Sequence, residues 1–200
     1  MMADKHWRVS LSLDQLSVYS HLDDDDGESI VNPDRTSFRE ALRSIARERG
    51  QRGLPSGNWP VEKLPPFRFA ISKPRYHPDF FQDMGLYYGS TRFREVAAAA
   101  GGEIAYVPVD LTGSHPQFTA QQYQLLNVIP DSLEHAPLAL ISQPDIGAKL
   151  HCTDPFAEAL QRARLTGIAF YDPETGIERP APPLLPGDPG SGFGGSASSI

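Results

Sequence analysis

The sequence predicts an α+β domain: a mixed, largely antiparallel sheet of short strands with about three helices packed on it. Three observations carry this. Short runs alternate apolar and polar residues at period two, as at Trp7, Val9, Leu11 and Leu13. Three segments instead place apolar residues at helical spacing just behind a Ser, Thr or Asp. Proline (19 of 200 residues) is about twice as frequent as usual, and with 17 glycines it divides the chain into short elements joined by turns.

In chain order, the alternation from Trp7 reads as a strand within residues 7–19. The next segment, with four adjacent aspartates (Asp23 to Asp26) and Glu28, reads as a solvated loop, because like charges repel. Residues 36–49 read as a helix. Ser37 and Glu40 form a capping box, Phe38, Ala41, Leu42, Ile45 and Ala46 share a face, and Gly50 ends it. Its opposite face carries Arg39, Arg43 and Arg47 at i, i+4 steps. A Gly/Pro-rich connector follows over 53–66, then a strand at 67–71 and a short extended piece at 85–89. A second helix starts at Ser90 or Thr91, stops before Gly101, and leads into a strand at 103–109.

Residues 123–129 are apolar apart from Gln124 and Asn127 and read as a buried strand, and 138–142 as another. Asp154 with Pro155 opens a third helix, Gly167 closes it, and 168–171 form the last strand. Phe38-Arg39-Glu40, Phe93-Arg94-Glu95 and Phe156-Ala157-Glu158 each open a helix, a similarity that shared capping chemistry explains without duplication. The expected core contains Leu42, Ile45, Phe69, Ile71, Phe93, Val96, Ile104, Tyr106, Leu125, Val128, Leu140, Phe156, Leu160, Ile168 and Phe170. The expected organisation is an N-terminal part (1–65), an α+β domain (66–175) and a disordered, mobile Pro/Gly/Ser-rich tail (176–200) that buries no core.

The same residues exclude several functions. One cysteine, Cys152, rules out a disulfide framework and a cysteine-rich zinc site. No run of 18 apolar residues and no secretory leader are present, so a cytoplasmic protein without a membrane span is expected. A net charge of −7 argues against direct nucleic-acid binding. The six histidines lack metal-ligand spacing, and phosphate-loop and nucleophile-elbow motifs are absent. Gly27 placed at position 6 of a calcium loop puts Leu22 and Pro33 at ligand positions, so that reading fails. No catalytic set, cofactor or metal is therefore expected. His151 and Cys152 adjoin, but on an extended chain they point to opposite faces, which favours a structural thiol.

Charge is unevenly distributed. Residues 1–34 hold two basic and eight acidic side chains, whereas 35–52 hold six arginines against two glutamates. A solvated loop beside a solvated helix face accounts for this, and so does an acidic surface that steers a basic partner.

Four stretches look familiar. His77-Pro78-Asp79-Phe80-Phe81 precedes Gly89-Ser90-Thr91-Arg92-Phe93-Arg94-Glu95-Val96. Gly102 to Val109, Tyr123 to Ile129 with Asp131, and Phe156 to Leu160 with Leu165 to Phe170 follow. Together, from about 68 to 175, they resemble the MXAN-type immunity domain of bacterial polymorphic toxin systems. The segment between Ile129 and Asp154 is short for that pattern, and Thr153-Asp154-Pro155 stands where a serine is expected. The resemblance implies a non-catalytic protein that binds and neutralises a cognate toxin. Asp23, Asp24, Asp25, Asp26 and Glu28 are then the candidate partner-binding residues, facing a basic cleft. The alternatives are a small hydrolase or transferase using His77, Asp79 and Tyr87 or Tyr88, and an adaptor module. The oligomeric state stays open.

Overall fold

The computed structural model describes residues 5–12, 30–31, 35–49, 58–65, 67–68, 70–71, 77–83, 86–143 and 147–183. Among them the strands are β1 (His6–Leu11), β2 (Ile30–Val31), β3 (Ala70–Ile71), β4 (Phe80–Asp83), β5 (Leu86–Gly89), β6 (Ile104–Pro108), β7 (Gln124–Val128), β8 (Leu138–Gln143), β9 (Gly147–Thr153) and β10 (Ile168–Tyr171). The helices are α1 (Arg35–Glu48), α2 (Thr91–Ala99), the single turn α3 (Pro116–Thr119) and α4 (Asp154–Arg162).

The class is α+β, but the strands form two four-stranded sheets where one was expected. The first has the order β10-β1-β9-β8 and the second β4-β5-β7-β6, while β2 and β3 form a separate pair. Every pairing between these strands is antiparallel. The chain's early strand is thus an inner strand of the first sheet, with Trp7 opposite Cys152 and Val9 opposite Phe170.

Two cores explain the doubling. One lies between the sheets and takes Trp7, Val9, Leu150, Cys152 and Phe170 from the first, and Phe80, Tyr87, Leu126 and Val128 from the second. Helices α2 and α4, which contact each other, add Phe93, Ala97, Phe156 and Leu160. The other core lies on the far face of the second sheet, where Phe81, Tyr88, Val107 and Leu125 meet Phe38, Leu42 and Ile45 of α1. The second sheet is therefore buried on both faces, which is why β7 reads as a nearly continuous apolar run. Its polar exception, Asn127, is matched to a partner: the Asn127 side-chain oxygen accepts from Trp59 N at 2.7 Å, and its amide donates to Trp59 O at 2.9 Å.

Close packing fixes two local choices. A Cβ at Gly89 would lie 2.5 Å from a ring carbon of Phe93 and 3.1 Å from Leu126, so β5 passes α2 only as glycine. Gly101, at φ +80°, takes the left-handed conformation just beyond α2 that L-residues avoid.

Several expectations need correction. Helix α1 begins at Arg35, so Ser37 lies in its first turn and is not its N-cap. Thr153, not Asp154, occupies the N-cap position of α4 and makes no side-chain cap bond, while the Asp154 carboxylate accepts from Trp7 and Arg179. Strands β4 and β9 and the turn α3 were not anticipated. Val96, Ile104, Tyr106 and Ile168 are half-buried at the edge of the inter-sheet core. The side chains of Phe69 and Ile71 lie outside the described residues.

Candidate functional site

The acidic residues Asp23, Asp24, Asp25, Asp26 and Glu28 lie outside the described residues, between β1 and β2. The residues of the alternative catalytic set are all described, and the structure separates them. Tyr87 faces the inter-sheet core and Tyr88 the other core, as neighbours on one strand must. Burial pushes the Tyr87 hydroxyl above its ordinary pKa. His77 is exposed.

Asp79 instead forms the hub of a structural junction. It is buried, 6% exposed, just before β4. One carboxylate oxygen accepts from Ser90 Oγ at 3.0 Å. The other accepts from Arg92 Nη1 at 3.0 Å, from Thr166 N at 2.9 Å and from Thr166 Oγ1 at 3.2 Å. Ser90 also caps α2 by accepting from Phe93 N at 3.1 Å, and Arg92 Nη2 donates to the Ala163 carbonyl at the end of α4. One carboxylate thereby ties β4, α2 and the loop before β10 together. Tyr123 adds a bond from its hydroxyl to Pro78 O.

A second junction had no counterpart in the sequence reading. Arg179 lies in the segment expected to form a mobile tail, yet its side chain is nearly buried. Its Nε donates to Asp154 Oδ1 at 2.9 Å, its Nη2 to Asp154 Oδ2 at 3.2 Å and its Nη1 to Gln161 Oε1. Its backbone N donates to Phe170 O at 2.7 Å. The Trp7 indole N–H donates to the same Asp154 at 2.6 Å, with the Arg179 and Lys5 cations over its ring. The Arg179 hydrogen bond, helped by Trp7, holds the Asp154 carboxyl below the usual range against its partial burial. Residues 176–183 are thus fastened to β10 and α4.

Cys152 points into the inter-sheet core, and burial drives its thiol pKa up, so it is an unreactive structural residue. His151, beside it, faces the opposite side of the first sheet. Among the described residues no group of three or more His, Cys, Asp or Glu could hold a metal ion. Nor is any helix among them long and apolar enough to cross a membrane. No protein-family model matches the chain, and no curated protein matches it in sequence.

Proposed function

We propose that this protein is a cytoplasmic immunity protein, which neutralises a cognate bacterial toxin by surface contact and without catalysis. The observation that carries the reading is the use made of polar residues in the segment resembling immunity domains. Asp79, Ser90, Arg92 and Thr166 bond to one another across three elements, so the most recognisable polar motif serves the scaffold. Recognition then falls to surface charge. The concentration of eight acidic residues in 1–34 supplies a field that draws in a basic partner.

The test pairs the full chain with the toxin encoded in a neighbouring reading frame. Inhibition should be stoichiometric, reaching completion at equal molar amounts. Changing Asp23 to Asp26 to Asn together with Glu28→Gln should slow association about tenfold at low salt and flatten its salt dependence. An unchanged on-rate would remove the electrostatic part, and substoichiometric protection would replace the binding protein with an enzyme.

A further inference from the structure

Among the described residues four polar side chains are buried, and of these Asp79, Ser90 and Asn127 have the partners described above. His151 is the exception. It is 2% exposed, and both ring nitrogens lack a hydrogen-bond partner. A buried polar group left unpaired costs about 1–3 kcal/mol, so it calls for a ligand, a water or a functional reason.

Its surroundings select the kind of ligand. Because Trp7 and Val9 of β1 and Leu150 and Cys152 of β9 face the core, His6, Arg8, Lys149 and His151 share the opposite face of the first sheet. The antiparallel register sets Tyr171, Arg8, His151 and Ala139 in one row across four strands. The His6 and His151 rings lie 5.7 Å apart between centroids, and the Arg8 guanidinium lies over Tyr171 at 6.0 Å. From β8 the row receives only Ala139 and, one step along, Ile141, which carry no charge. The carboxylate felt at this row is that of Glu178, acting on Tyr171, and Arg8 makes no ion pair with it.

Four basic side chains therefore share one face of the first sheet in an acidic protein: the buried His151, the half-buried Arg8 and Lys149, and the exposed His6. Two imidazoles alone would suit a metal cation. A fixed guanidinium beside them, and no third His, Cys, Asp or Glu among the described residues to complete a ligand set, suits an anion. We infer that the outer face of the first sheet binds a phosphoryl group, held by Arg8, His6 and His151. Arg8 offers a planar fork to two oxygens, and each imidazole offers an N–H to a further one. The inference is independent of the toxin-binding role. Burial, with the nearby charges of His6 and Arg8, lowers the His151 pKa to about 4. A bound dianion reverses the sign of that local field, so binding is coupled to proton uptake by His151.

The experiment follows the histidine ring signals of the full chain by NMR at about pH 6, at constant ionic strength. The probes are inorganic phosphate, phenyl phosphate and acetate. Phosphate should shift the His151 and His6 signals together and saturably, and raise the apparent pKa of His151. Arg8→Gln should weaken binding about tenfold or more, and His6→Gln, an exposed change that spares the fold, should weaken it less. Arg43→Gln on α1 should leave it intact. Phenyl phosphate binding as tightly as phosphate would identify the phosphoryl group of a larger molecule as ligand; exclusion of the ester would identify free phosphate. The inference falls if no saturable shift occurs, if acetate matches phosphate, or if both His6→Gln and Arg8→Gln bind as the parent does.

Discussion

The junction at Asp79 and the outer face at His151 bury polar side chains to a similar depth and treat them in opposite ways. Asp79 has its carboxylate met by donors of Ser90 and Arg92 at the start of α2 and of Thr166 in the loop before β10. His151 has two buried nitrogens and no donor or acceptor within reach. The difference teaches that burial alone does not reveal a residue's role. A satisfied buried charge acts as a rivet between elements, whereas an unsatisfied one weakens the free protein and gains a partner only when something binds.

The comparison is sharpened most by Asp79→Ala. It strands the donors of Ser90, Arg92 and Thr166, and should cost about 3–5 kcal/mol in urea-unfolding free energy. A loss near zero would show that the junction is not a rivet. Asn127→Ala is the neutral version of the same test. It removes the side chain that bonds both Trp59 N and Trp59 O in the second core, so a loss of about 2–3 kcal/mol is expected by the same measurement.

The His151 side should respond to pH. Its folded pKa, about 4, lies below the unfolded value of 6.5, so the unfolded chain takes up the proton first. Stability is then full above about pH 6.5, falls as pH drops below that, and stops changing from this source below about 4. Thermal unfolding between these limits in phosphate-free buffer should show the slope, and His151→Leu should remove its share. The same substitution at neutral pH should stabilise the protein by about 1 kcal/mol, the smallest effect and the opposite sign to the Asp79 change. Destabilisation by His151→Leu would mean that the imidazole is paired after all.

Local chemistry made much of the fold legible. Ser90 announces α2 because its cap bond reaches only three residues, to Phe93. β7 is visible because Leu125 and Leu126 are buried on opposite faces and leave an apolar run. The count of sheets was not legible, since such a run says that two faces are covered but not by what. β4 is four residues long behind Pro78, too short for a period to show. β9 was overlooked although Leu150 and Cys152 alternate with Lys149 and His151. Both junctions depend on distant partners: Thr166 lies 87 residues from Asp79, and Arg179 lies 25 from Asp154. The buried imidazole was beyond the sequence altogether, because it depends on which strands flank β9.

One further consequence lies in the order of synthesis. β1 sits between β9 and β10, so its two hydrogen-bonding edges wait for strands made much later. During translation the second sheet can close first, since β4 to β7 are consecutive, while Trp7 and Val9 remain without a core. The first sheet therefore forms late and by long-range pairing, the slow kind, and until then β1 is an open edge for other chains. The indole of Trp7, which meets Asp154 and Arg179 only when that sheet closes, is a built-in optical reporter of the closing of the first sheet.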